Sequence, residues 1–306
     1  MTKVAIVIPV YNAGEYLIDS VDSAIRQSYK NKEIIVIDDG STDNSVEKLS
    51  AVYGQQVLIF KRENGGKPSV LNWALDNIKS DYFCVLDADD IMDQERVQKQ
   101  VEFLEINRNI DIVFCGHRLL INGKNLAPRY IEKTSDECMI DILKYRMPAH
   151  DPTAMYRTAN LRGFRYDEKL PGVEGYDFIM KVGEKRKAHV LEDCLYTYRI
   201  HEESITHKNL EKRLRLLWLA KNKVRKRRNL KPIERFIMPR NITNSLRENG
   251  VSSHFLESVI ELKKKGKYRE ALGVAGYSIR MHPLDIDNWK PFLAFLIPAK
   301  ILSRIR

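Results

Sequence analysis

The feature that most constrains this chain is the alternation of continuously apolar, β-branched runs with segments of helical periodicity. Val4 to Val10 is apolar throughout, which suits a strand buried on both faces of a parallel sheet. Leu17, Val21, Ala24 and Ile25 then recur at three- and four-residue spacing between Glu15 and Ser28, the spacing of a helix that packs one face on a sheet. The pattern repeats: a strand over Glu33 to Asp38, a helix carrying Val46 and Leu49, a strand near Val57 to Lys61, a helix over Leu71 to Ile78, a strand over Tyr82 to Leu86 and a helix over Val97 to Leu104. Such alternation predicts an α/β doubly wound sheet. In these sheets ligands bind beyond the carboxyl ends of the strands, where the acidic turns after Ile37 and Leu86 fall.

With 306 residues, 43% of them apolar, the chain can bury a full core and has room for a large domain and a smaller appendage. The apolar run at the start ends at Pro9, too short for a signal peptide, so the expected location is cytoplasmic. Cys84, Cys115, Cys138 and Cys194 lie singly, without the spacing of a zinc site or the density of a disulfide scaffold, and are read as buried reduced thiols. No run reaches the roughly 18 to 20 apolar residues that a membrane span needs. The net charge of +10 is local: between Lys208 and Arg240 there are thirteen Lys and Arg against only Glu211 and Glu234.

Three polar segments carry the chemistry. Asp87-Ala88-Asp89-Asp90 ends an apolar strand, where clustered carboxylates repel one another unless a cation or solvent compensates. Their hard oxygens suit Mg²⁺ or Mn²⁺, although the same acids also read as the cap of the helix that begins near Gln94. Asp38-Asp39-Gly40-Ser41 falls on the same sheet edge; it reads as an ordinary turn or as carboxylates that accept hydrogen bonds from a base or ribose. Between them, Asn64-Gly65-Gly66-Lys67 runs into a helix and sets a lysine to meet phosphate, without the spacing of a Walker motif.

Taken in order, these motifs resemble glycosyltransferase family two, the inverting group with a GT-A fold, over roughly residues 3 to 205. The resemblance implies that Pro9 and Tyr11, in Ile8-Pro9-Val10-Tyr11-Asn12, and Asp39 hold the nucleotide base. It further implies that Lys67 assists the leaving group, that Asp87 and Ala88 meet the donor ribose and that Asp89 binds the metal. Asp151-Pro152-Thr153-Ala154-Met155-Tyr156-Arg157 is similar to the family's Pro-Thr segment beneath the acceptor site. Tyr198-Arg199-Ile200-His201 is similar to its late Tyr-Arg-x-His segment, which makes His201 a candidate ligand of the metal or the diphosphate.

One motif departs from the family. Where the family places a Glu-Asp pair whose Asp removes the acceptor proton, this chain reads Val173-Glu174-Gly175-Tyr176-Asp177. Inverting transfer needs a carboxylate within hydrogen-bond reach of the attacking hydroxyl, so Glu174 or Asp177 is expected to substitute, with Glu174 slightly favoured by its adjacency and extra methylene.

The resulting expectation is a GT-A domain over residues 1–208, a doubly wound mixed sheet with its donor half at about 1–95 and its acceptor half at about 96–208, followed by a basic amphipathic helical appendage over 209–306. The implied activity is metal-dependent (Mn²⁺ or Mg²⁺) inverting transfer of a hexosyl or N-acetylhexosaminyl group from a nucleotide diphosphate donor, UDP foremost. The acceptor is a hydroxyl of a glycan or lipid-linked glycan in cell-surface polysaccharide synthesis. Two alternatives stand beside it: a polyprenyl-phosphate sugar synthase, and a non-catalytic protein that binds the nucleotide sugar. Trp218 among Leu214, Leu216, Leu217 and Leu219 precedes Lys221 to Arg228, and Trp289 precedes Phe292 to Ile297. These read either as contacts to an anionic membrane surface or as aromatics packed on the catalytic domain beside solvated cations. Nucleic acid is not an expected partner, because no binding module or stacking aromatics accompany the basic run.

Overall fold

The strand predicted at Val4 forms as a ribbon with two buried faces. Val4, Ile6, Ile8 and Val10 enter one apolar cluster while Ala5 and Val7 enter another, the period of two that a pleated strand imposes. The computed structural model describes residues 2–121, 124–125, 132–200, 210–236, 245–281, 283 and 286–298. Its strands are β1 (Val4–Val10), β2 (Lys32–Asp38), β3 (Leu58–Lys61), β4 (Tyr82–Val85), β5 (Ile91–Met92), β6 (Ile112–Ile121), β7 (Lys124–Asn125), β8 (Met155–Arg157) and β9 (Ala188–Ile200). They join one sheet in the order β3-β2-β1-β4-β8-β6-β9-β5, with β7 hairpinned on β6.

The first four strands are mutually parallel. The chain leaves β1 toward β2 and β3 and returns to the other side as β4, so the order reverses between β1 and β4 and opens a crevice at their carboxyl ends. Beyond β4 the sheet is mixed: β8 runs antiparallel to both β4 and β6, β9 is parallel to β6, and β5 is antiparallel to β9. This is the expected α/β doubly wound mixed sheet.

Helices α1 (Tyr16–Ile25), α2 (Ser45–Tyr53), α3 (Lys67–Asn77), α4 (Arg96–Ile106), α5 (Ser135–Leu143), α6 (Glu174–Gly183) and α7 (Leu210–Arg227) sandwich the sheet. Leu17, Val21 and Ala24 of α1, Val46 and Leu49 of α2, and Val97, Val101 and Leu104 of α4 fill one side. Residues Val70, Leu71 and Ala74 of α3, Ile142 of α5, Phe178 of α6, and Ala220 and Val224 of α7 fill the other. Helix α3 begins four residues before the predicted Leu71, because Gly66 adopts φ +82° and Pro68 stands in the first turn, where its missing N–H costs no helical hydrogen bond. All four cysteines are buried and unpaired.

Much of the basic run docks α7. Lys223 pairs with Asp167, Arg227 with Asp177 and Glu184, and Arg228 with Glu184, while Arg225 reaches the Tyr145 hydroxyl at 3.3 Å. Helices α8 (Ser245–Lys264), α9 (Tyr268–Met281) and α10 (Lys290–Leu296) form a further apolar cluster around Phe255, Val259, Leu262, Ala271 and Ala275. That cluster reaches the sheet through Leu119, with Tyr198 and Ile200 packed against it. Lys263 Nζ ties the hairpin together by donating to the carbonyls of Ala294 at 3.0 Å and Phe295 at 2.6 Å, a cation at the negative end of α10. Among the described residues no helix is long and apolar enough to cross a membrane. The terminal Lys300, Ile301, Leu302, Arg304, Ile305 and Arg306 lie outside them.

Candidate active site

The acidic turn after β2 is built from backbone. Asp38 accepts the Ser41 N–H at 2.9 Å and so tightens its own turn. Asp39 instead turns both carboxylate oxygens onto the Gly-rich loop, accepting the N–H groups of Gly65 at 2.9 Å and Gly66 at 2.8 Å. The two segments that the sequence offered separately are therefore one structure. On the near side, Asn12 Oδ1 accepts the Thr42 and Asp43 N–H groups at 2.8 and 3.3 Å, which ties the turn after β1 to the turn after β2. Pro9 lies half-buried in β1 beside Ile37, and Tyr11 projects from its end with 54% exposure.

The Asp87–Asp90 turn divides its acids by direction. Asp90 is fully buried and accepts the Tyr196 hydroxyl at 2.6 Å and the Arg199 N–H at 2.8 Å. Burial, followed by repulsion from Asp89 and Asp87, raises its pKa well above the usual carboxylate range. It is a post that anchors the turn to β9. Ser20 Oγ secures the other side through bonds to the carbonyls of Ala88 at 2.8 Å and Asp90 at 2.6 Å. Asp87, Ala88 and Asp89 remain half-buried at the crevice.

Lys67, the first residue of α3, places Nζ 2.5 Å from Asp87 Oδ1. Burial works to lower its pKa, but the carboxylates of Asp87, Glu174 and Asp151 together outweigh that and hold the ammonium charged well above the ordinary lysine range. Lys67 is thus the centre of an acidic ring drawn from β4, the 3₁₀ turn Asp151–Thr153 and α6. The pKa of Asp151 is pushed up to about 7, by burial first, with Lys67 opposing and Glu174 and Asp87 adding to the rise.

Glu174 lies 6% exposed at the start of α6, and its Oε2 is buried with no hydrogen-bond partner. Asp177 is placed differently from the sequence expectation. It is fully buried, with Oδ1 3.0 Å from Arg227 Nη1 and Oδ2 2.5 Å from Lys181 Nζ. A carboxylate neutralised by two cations and sealed from solvent cannot receive an acceptor hydroxyl, so its role here is to dock α7 on α6. His201 lies outside the described residues.

One residue that the sequence did not single out, Arg96, organises the site. Arg96 is fully buried and donates to the carbonyls of Pro152 at 2.6 Å and Ala154 at 3.3 Å, holding the Asp151 turn against the sheet. Its guanidinium also stacks 5.0 Å from the Tyr196 ring centroid, next to the Asp90 post. A polar residue inside an otherwise apolar helical face was the available signal: Arg96 and Gln100 interrupt the Val97, Val101, Leu104 stripe. A separate open cavity of about 1030 Å³, lined by Thr2, Asp81, Glu105, Arg157 and Thr158, lies at the amino ends of β1 and β4 and does not join this site.

The profile of glycosyl transferase family 2 matches residues 5–167, spanning β1 through the Asp151 turn. The chain belongs to glycosyl transferase family 2. An uncharacterized glycosyltransferase of Rickettsia conorii is 33% identical over 230 residues, covering 71% of this chain and 37% of the relative. The chondroitin synthase of Pasteurella multocida is 30% identical over 222 residues, covering 68% and 22% respectively. The chain therefore spans little more than a third of the length of the first of these relatives. S. aureus TarS, in a crystal structure of residues 1–349 in complex with UDP-GlcNAc, superimposes with a TM-score of 0.59 at 19% identity, covering 94% of this chain and 89% of that one. At that identity the likeness establishes the family's GT-A fold, helical carboxyl-terminal region included.

Proposed function

We propose that this family 2 chain is a metal-dependent inverting glycosyltransferase. It moves a sugar from a nucleoside diphosphate donor, UDP foremost, to a hydroxyl of a glycan or lipid-linked glycan in polysaccharide synthesis. The observation that carries the reading is the meeting of the Asp39 clasp on Gly65 and Gly66 with the Lys67–Asp87 pair at the crevice where the strand order reverses. A chondroitin synthase among the relatives and a UDP-GlcNAc complex among the structural neighbours support the same substrate classes.

Asp87 and Asp89 fit a Mn²⁺ or Mg²⁺ ion by the chemistry of their donors, since both present hard carboxylate oxygens, half-buried, at a strand end. When bound, such an ion neutralises charge on the leaving diphosphate. His201 is a further proposed ligand of the metal or the diphosphate. Lys67 binds the diphosphate as a fixed cation, because the acidic ring keeps it protonated. Tyr11, Pro9 and Asp39 form the base-binding wall, and Ala88 lets the donor approach the backbone of the turn.

The test is a panel of nucleotide sugars with Mn²⁺, scored for thermal stabilisation and for nucleotide release with glycan hydroxyl and polyprenyl-phosphate acceptors, on the wild type and Asp89→Ala. One donor is expected to stabilise the wild type and to be turned over with glycan acceptors, and Asp89→Ala is expected to lose at least about a hundredfold in turnover. The absence of stabilisation by every donor would overturn the proposal, and preference for the lipid phosphate would replace the acceptor.

A further inference from the structure

A Cβ built on Gly175 would lie 1.8 Å from Asp151 Oδ2, 2.4 Å from its Cγ and 3.0 Å from its Oδ1. The Asp151 carboxylate therefore occupies the space that any side chain at position 175 would need, and only glycine permits it to stand there. We infer that Asp151 is the general base of the transfer reaction, reaching from the turn before β8 into the place left open at Gly175. This rests on the transferase reading above.

Three carboxylates act on Lys67; one is bonded to it and one is sealed from solvent. Asp87 is bonded to the Lys67 ammonium on the donor side, and Glu174 is almost fully buried with an oxygen aimed away from any partner. Asp151 is half-buried rather than sealed, and its carboxylate stands against Gly175 within the field of the Lys67 ammonium. Its backbone is rigid where a base needs it to be: Ala154 N–H bonds the Asp151 carbonyl at 3.0 Å, Thr153 Oγ1 bonds the His150 carbonyl at 2.6 Å, and Arg96 holds Pro152. The first turn of α6 adds its positive dipole end beside the carboxylate.

In the step, the acceptor hydroxyl oxygen forms the new bond to the anomeric carbon from the face opposite the departing diphosphate. The bond from that carbon to the diphosphate breaks with its electron pair leaving on the nucleoside diphosphate, and the hydroxyl proton passes to an Asp151 carboxylate oxygen.

The experiment compares turnover, donor-induced thermal stabilisation and melting temperature for the wild type, Asp151→Asn, Glu174→Gln and the double variant Asp151→Ala/Gly175→Asp. Asp151→Asn is expected to fold and bind donor like the wild type while losing about 10²- to 10⁴-fold in turnover. Glu174→Gln, which leaves the Asp151 carboxylate in place, is expected to lose less turnover than Asp151→Asn, and the double variant to recover at least tenfold over Asp151→Asn by supplying the carboxylate from the opposite wall. Turnover by Asp151→Asn within about threefold of the wild type would overturn the inference and leave the transferase reading intact. Donor binding by a wild type that transfers to no acceptor would overturn both.

Discussion

Arg227 Nη1, on α7, stands 3.0 Å from Oδ1 of Asp177, in the first turn of α6. The pair is sealed on the Asp177 side, which has no exposure, and Lys181 completes it from one turn away. A buried carboxylate held by two cations is costly to unmake from one side only, because Arg227 and Lys181, 29% and 24% exposed, are left partly desolvated without their shared partner. Asp177→Asn is expected to destabilise the protein by about 3 kcal/mol while the folded fraction keeps turnover within a few-fold of the wild type. Asp177→Asn/Arg227→Met should recover part of that loss in a urea melt. A large fall in turnover at unchanged stability would instead return Asp177 to the list of catalytic groups.

The clasp of Asp39 on the Gly65 and Gly66 N–H groups joins the β2 turn to the loop that launches α3. Charge-assisted bonds of this kind contribute about 1.5–3 kcal/mol each, so Asp39→Ala should lower stability by roughly 2–4 kcal/mol. It should also abolish donor-induced stabilisation, since the same loop presents Lys67. Thermal melts with and without nucleotide sugar check both outcomes; a variant that melts lower yet binds donor normally would confine Asp39 to a structural role.

Asp151 gives a pH signature in the metal-free protein. Its folded pKa is raised from 3.8 to about 7, by burial and by Glu174 and Asp87 against the pull of Lys67, so the native state holds a proton that the unfolded chain has released. Its contribution to stability is therefore highest below about pH 4, declines as pH rises toward 7 and is level beyond, with an upper bound of about 4 kcal/mol. Asp151→Asn lacks this titration. The melting temperature of the variant minus that of the wild type is expected to increase between pH 4.5 and pH 7.5, and a difference that stays constant across that interval would contradict the raised value.

The first four strands and the crevice at their carboxyl ends were readable because their determinants are local. Val4 to Val10 can be buried on both faces only in a parallel sheet, and the residues following Ile37 and Leu86 must then emerge at one edge. The Asp38–Asp39, Gly65–Lys67 and Asp87–Asp90 segments could be placed at that edge from a strand-helix repeat, and the resemblance to the family singled out Asp39, Asp87 and Asp89 within them. The roles of Asp38 and Asp90 were not readable, since adjacent aspartates look equivalent until the folded turn directs one of them into the Tyr196 and Arg199 contacts.

By itself, then, the sequence determined the doubly wound sheet, the crevice at its switch point and the acids and lysine that line it, because strand and helix periodicity depend on neighbours a few residues apart. Tertiary structure alone decided which carboxylate stands beside Gly175. Asp151 and Gly175 are twenty-four positions apart, and nothing in either segment announces that the side chain of one fills the empty space of the other. It also decided that Arg227 belongs to Asp177, so that part of a run of cations that reads as a surface is a buried seam between two helices.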